Sequence, residues 1–239
     1  MKRILTVAGL ALLSGEALAS GFDIVSLQNL SQSEFHDLAQ DLGAAFSYKP
    51  MAPADTLGPL GFDIGAALTG TTLVNTAPLQ KAVSNSSVFT TLPAPSIRAI
   101  KGLPYNVDIG AFYSRVPSSN VNLYGGEIKW AVLPGDIALP AVAIRGTATR
   151  LNGVSQLGFE SFSADVSISK GFTVLTPYAG IGEVRSLSST DGLPLKQVNL
   201  TQGKVFGGAS FNLGLANLDL EADSTGGIHS YSAKVGVRF

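Results

Sequence analysis

Residues Tyr231-Ser-Ala-Lys-Val-Gly-Val-Arg-Phe239 decide the fold. Tyr231, Ala233, Val235, Val237 and Phe239 fall at every second position, with Ser232, Lys234, Gly236 and Arg238 between them. A period of two is that of a pleated strand, so the segment has one apolar and one polar face. The strand closes the chain on an aromatic residue.

The same alternation recurs upstream. Strands are expected at about 42–49, 60–73, 96–115, 121–133, 136–150, 157–170, 173–187, 202–215, 217–224 and 228–239. Leu42, Ala44, Phe46 and Tyr48 share a face of the first, and Phe62, Ile64, Ala66 and Leu68 a face of the second. The count is about ten, within bounds of about eight and twelve, because 96–115 carries Gly102 and Pro104 and reads equally as two strands. Ahead of them, Ser31-Gln-Ser-Glu34 has the S-x-x-E form of a capping box. Phe35, Leu38, Ala39 and Leu42 follow at helical spacing, so a short helix is expected near 32–40.

The chain opens with Lys2 and Arg3, an apolar run from Ile4 to Leu13, and Ala17-Leu18-Ala19. That is the layout of a secretory signal over residues 1–19, too short to span a bilayer as a helix. The expected organisation is then a signal at 1–19, an N-terminal segment with its helix at 20–41, and a barrel at 42–239. There is no cysteine, which excludes disulfides and thiolate metal sites. The 16 basic and 17 acidic residues nearly cancel, which argues against nucleic acid as a partner. Mean hydropathy is +0.29, yet no apolar run of about 18 residues follows the signal. High apolar content chopped into alternation fits a barrel whose outer face meets lipid.

Connections and faces extend this reading. Leu133-Pro-Gly-Asp136, Lys170-Gly-Phe172 and Ala216-Asn217 read as tight turns at one end, and 188–201 as the longest loop at the other. The segment 74–95, with Pro78, Pro93, Pro95 and the run Ser84-Asn-Ser-Ser87, is expected at the C-terminal, periplasmic end as a small cap. Pro78 there suits the start of a short helix to about Val83. Val107, Ile109, Ala111, Ile128, Val132, Ile144, Phe162, Val166 and Ile168 are among those expected to face outward. Tyr48, Tyr113, Tyr124, Trp130, Tyr178, Tyr231 and Phe239 resemble an interfacial girdle. The pleat sends charges inward: Asp63, Asp108, Glu127, Asp165, Glu183, Asp219, Glu221 and Asp223 against Lys129, Arg145, Arg185, Lys204, Lys234 and Arg238. Such a balanced set predicts a narrow lumen in which acids and bases pair across facing walls.

The signal end, the alternating strands and the terminal Phe239 resemble the small outer-membrane barrels of Gram-negative bacteria, the OmpA and OmpX type. The resemblance covers nearly all of the chain after the signal, as a pattern and not a motif. It implies an all-β fold, a transmembrane antiparallel up-and-down β-barrel. It also implies outer-membrane lipids as surroundings and the barrel-assembly machinery as a partner in biogenesis, reading Tyr231, Val235, Val237 and Phe239. A looser similarity to the FadL-type transporters of hydrophobic compounds rests on the plug-like start from Gly21-Phe22 through the helix at 32–40. That family's Asn-Pro-Ala motif is missing here; Tyr48-Lys49-Pro50 stands nearby.

No catalytic constellation appears. His36 sits beside Asp37 on the N-terminal helix. His229 is followed by Ser230, which an adjacent strand position turns to the opposite face, as it does Ser232. No metal, cofactor or nucleotide motif is present. The glycine pairs at 125–126, 207–208 and 226–227 suit bends. The expected function is a non-enzymatic outer-membrane barrel with a structural or surface-interaction role. A small porin or transporter is the alternative, and a lipid-modifying barrel enzyme a third.

Overall fold

The computed structural model describes residues 23–83 and 90–239. The expected signal at 1–19, Gly21-Phe22 and the run at 84–87 lie outside them. Ten antiparallel strands close into a barrel in which each strand neighbours the next in sequence and β1 meets β10. They are β1 (Phe62–Thr72), β2 (Thr91–Leu103), β3 (Val107–Arg115), β4 (Asn122–Leu133), β5 (Ala141–Asn152), β6 (Leu157–Ser169), β7 (Leu175–Thr190), β8 (Val198–Leu213), β9 (Ala216–Thr225) and β10 (Ile228–Arg238). Two α-helices accompany them among the described residues, α1 (Gln32–Phe46) and α2 (Thr76–Ala82). We call the end that holds Phe62 and Phe239 the base, and the opposite end the mouth.

The terminal strand seals the barrel. Ile64 pairs with Val237, Ala66 with Val235 and Gly70 with Tyr231. At the base the Phe62 amide donates to the Phe239 carbonyl at 2.8 Å, the Phe239 amide returns the bond at 3.0 Å, and the two rings meet edge to face. Tyr231 and Phe239 point outward, 65 % and 55 % exposed, while Ser232 and Lys234 are buried inside. At the mouth Gly226 and Gly227 join β9 to β10 with φ of 59° and 85°. A two-residue hairpin turn of this hand needs positive φ twice, which glycine adopts without a Cβ clash.

The strand count is ten, but two of its parts differ from the sequence reading. Residues 42–49 are not a strand. Helix α1 runs on to Phe46, with the Ser31–Glu34 capping box formed in both directions. Every residue from 41 to 50 is buried. A helix enclosed on all sides has no polar face to mark its period, so the alternation of Leu42, Ala44, Phe46 and Tyr48 was coincidental. The expected strand at 96–115 is in turn two strands. Pro104, Tyr105 and Asn106 form the turn between them, with Tyr105 and Asn106 at φ of 65° and 60°. These two departures cancel in the count and leave every later strand in its expected direction. They also move the segment after β1. Because the barrel begins at Phe62 and not at 42, β1 ends and β2 begins at the mouth, and α2 lies there and not at the C-terminal end.

Faces follow the pleat with local exceptions. A bulge in β4 pairs Ala131 with Ala143 and Leu133 with Val142, so Val132 is the extra residue and Leu133 takes the outward place. Tyr48 and Tyr178 leave the expected girdle, since both are buried in the interior. At the base, Asp136 accepts from the amides of Ala138 and Leu139, and these bonds hold its carboxyl below the usual range.

Candidate functional site: the occupied lumen

The lumen contains the protein's own N-terminal segment. Ile24 bridges to Val83 at the mouth, and the Val25 and Ser26 amides donate to the Ala82 carbonyl. From there α1 enters the barrel, and residues 47–61 run through it to the base, where β1 begins.

The lumen has two tiers. Around α1 the wall turns apolar side chains inward: Leu92, Leu123, Leu151, Leu157, Phe159 and Val198 pack with Phe35, Leu38, Leu42 and Phe46 in one cluster. Phe46 meets Phe159 edge to face at 5.5 Å. Each such side chain gains about 1.5–3 kcal/mol from full burial, so this tier resembles the core of a small soluble domain. Asp41 ties α1 to the loop after β1, accepting from the Asn75 amide at 2.8 Å. Lys81 of α2 pairs with Glu34, and together with Ser31 it holds the Glu34 carboxyl down at about 2.

Around residues 48–58 the wall is charged, and it grips mostly the backbone of the segment. Lys204 Nζ donates to the Tyr48 carbonyl at 2.6 Å. Arg98 Nη2 donates to the Pro50 carbonyl at 3.1 Å and lies over the Tyr48 ring. Lys129 Nζ reaches the carbonyls of Pro53 and Asp55 at 2.9 and 2.7 Å. In the opposite sense Glu221 accepts from the Met51 amide at 2.7 Å and from the Tyr178 hydroxyl at 3.0 Å. Asp108 accepts from Leu57 and Thr56, and Ser169 Oγ from the Ala54 amide. Two side chains of the segment pair directly with the wall: Lys49 with Asp223 at 2.8 Å and Asp55 with Arg238 at 2.9 Å.

The remaining charge pairs run between adjacent strands, not across the lumen. Lys129 pairs with Asp108 at 3.0 Å, and Lys234 with Asp63 and Asp219 at 2.6 and 2.8 Å. Arg145 lies between Glu127 and Asp165 at 3.4 and 3.8 Å. Facing walls do not touch because the segment stands between them. Beside it, against Arg98 and Phe112, lies a void of about 30 Å³, room for a water or two, and at the base a cleft of about 200 Å³ opens between Asp55, Ser169 and the turn after β4.

Of the charges expected inside, Asp63, Asp108, Glu127, Lys129, Arg145, Asp165, Lys204, Asp219, Glu221, Asp223 and Lys234 are buried in the lumen, and Arg238 lines its base. Glu183 and Arg185 are not there. Val184 between them is fully buried, so the pleat turns both charges outward. Sequence reasoning missed Lys49 and Asp55, because a plug segment has no period to read. It missed Arg98 because Pro93 and Pro95 blur the alternation of β2. His36 lies 3.7 Å from Asp37 on the exposed side of the N-terminal part of α1, and His229 faces outward with Ser230 and Ser232 inside. The described residues hold no cluster of metal-ligating side chains and no helix long and apolar enough to cross a membrane, which says nothing about strands.

No protein-family model matches the chain, and no curated protein matches it in sequence. Solved structures with some likeness include the N-terminal β-barrel domain of Pseudomonas aeruginosa OprF. It is 13 % identical, with a TM-score of 0.36 over 76 % of this chain and 99 % of that one. Ail, the attachment invasion locus protein of Yersinia pestis, was solved in complex with the heparin analogue sucrose octasulfate. It is 10 % identical, with a TM-score of 0.31 over 75 % and 97 %. Neisserial surface protein A is 12 % identical, with a TM-score of 0.30 over 74 % and 94 %.

Proposed function

We propose that the protein is an integral barrel of a bacterial outer membrane, closed by its own N-terminal segment, with a structural or surface-interaction role. The observation that carries this reading is the outer face. Large apolar side chains stand exposed on every strand, among them Ile64, Ile97, Ile109, Ile128, Ile181 and Tyr231. A water-soluble protein rarely exposes a contiguous apolar belt of this kind, whereas lipid requires one. The closed hydrogen-bonding of all ten strands suits a medium with no water to satisfy an open edge. The porin alternative asks for a path through the lumen, and residues 32–58 occupy that path.

Fractionation tests the location. The protein is expected with outer membranes, and with a gel mobility that changes on boiling as a closed barrel opens. Recovery as a soluble periplasmic protein without detergent would overturn the reading.

A further inference from the structure

The outward face is not apolar throughout. Three arginines stand on it in the half nearer the mouth: Arg115, the last residue of β3; Arg150, two residues from the end of β5; and Arg185 on β7. They occupy alternate strands of one arc. Register joins them through aromatic neighbours. Tyr124 pairs with Arg150, Phe162 with Arg185, and Tyr113 lies two residues before Arg115 on the same face. The row through Arg185 and Phe162 includes Ala148, one pleat from Arg150. Elsewhere on the outward face of the described strands the only lysine or arginine is Lys101 near the base, which is engaged by the carbonyls of Pro59 and Gly61.

The guanidinium groups are largely free. Arg150 Nε lies 3.4 Å from Glu160, with both side chains well exposed at 63 % and 44 %. Arg185 donates through Nε to Asn199 at 3.2 Å, which leaves its two terminal amino groups open. Arg115 makes no ion pair with a described residue. Two acids share the arc: Glu160, paired with Arg150, and Glu183, two residues below Arg185. The arc therefore keeps a basic excess, and it is confined to one side of the barrel at one end of the apolar belt.

We propose that this arc binds the phosphate-bearing headgroup of an anionic lipid in the leaflet at the mouth. A guanidinium presents a planar fork that takes two phosphate oxygens at once, which an ammonium cannot do. Aromatic rings directly beside it suit the boundary between headgroup and acyl chain. Basic clusters at the rim of an apolar surface read as anionic-lipid sites. The inference rests on the membrane reading above.

The test uses the full-length barrel in phosphatidylcholine vesicles doped with phosphatidic acid, a lipid phosphomonoester, and counts the lipids carried out with the protein by native mass spectrometry. Phosphatidic acid should be enriched about tenfold over its share of the vesicle. R115Q/R150Q/R185Q should bring it to parity with gel mobility unchanged, the three lysine replacements should fall between, and E160Q should raise it. Inorganic phosphate should leave the lipid in place. Equal retention of both lipids by the unaltered protein, enrichment that survives the triple replacement, or displacement by free phosphate would each overturn the proposal. A protein that does not float with the vesicles would instead overturn the membrane reading itself.

Discussion

Lys49 Nζ lies 2.8 Å from Asp223 Oδ1, with both side chains almost wholly buried, and joins the N-terminal segment to the wall of the barrel. The same ammonium donates to Ser230 Oγ at 3.0 Å and to the Ala44 carbonyl at 2.9 Å, so it also closes the C-terminal end of α1. Removing one member of a buried pair strands the other. Lys49→Met is expected to destabilise the protein by about 3–5 kcal/mol, and the double change with Asp223→Leu to recover most of that. Urea unfolding of the protein in vesicles measures both. A single replacement within about 1 kcal/mol of the unaltered protein would show that the pair does not hold the segment.

At Gly102 the segment passes tightly against the wall. A Cβ at that position would stand 2.0 Å from the Gly58 carbonyl oxygen, with the rest of the Gly58 backbone close behind. Backbone cannot yield as a side-chain tip can, so Gly102→Ala should push the base of the segment inward at a cost of about 1–3 kcal/mol. Gly203, where a Cβ meets open space, is the control, and Gly203→Ala should change stability little. The two unfolding midpoints in urea give the comparison.

The cap on α1 carries a pH dependence. Glu34 is held near 2 by its bonds with Lys81 and Ser31, against an ordinary value of 4.5. A lowered carboxyl stabilises the folded state above its unfolded value, and that contribution is lost as pH falls from 4.5 towards 2. Amide protection in the first turn of α1, corrected for intrinsic exchange, should stay level from neutral pH to about 4.5 and fall below it. In Glu34→Gln the step should vanish. A step that survives the replacement would assign it to another group.

The chain has no cysteine, so single introduced thiols report topology cleanly. Ser33, on the exposed first turn of α1, lies at the mouth, and Tyr105, in the turn between β2 and β3, lies at the base. With the base in the periplasm, Ser33→Cys should react with an impermeant maleimide on intact cells and Tyr105→Cys only after the outer membrane is opened. The reverse pattern would invert the barrel.

Much of the fold was legible because strands in a closed sheet keep strict alternation. Tyr231 through Phe239 alternate without a break, and Asp165, Val166, Ser167 and Ile168 on β6 do likewise. Legibility failed where a residue has no solvent or lipid on either side. Ala44, Phe46 and Tyr48 are enclosed all round, so their pattern carried no information about period. The two-tier lumen was hidden for a related reason. Leu123 and Phe159 point inward at the mouth as Lys129 and Asp165 do deeper down, and only a known plug explains why apolar residues should line an interior. Glu183 and Arg185 defeat the face assignment because β7 has apolar residues on both faces, which leaves charge as the one sign of the inside. At the mouth, charge also marks the outer rim.

The most direct test is ion flux in proteoliposomes that have been floated to confirm insertion. With residues 32–58 holding the lumen and a void of about 30 Å³ beside them, the vesicles should retain a small entrapped dye and a salt gradient as well as protein-free vesicles do. Rapid dye release or stable porin-like conductance from the unaltered protein would contradict a closed lumen.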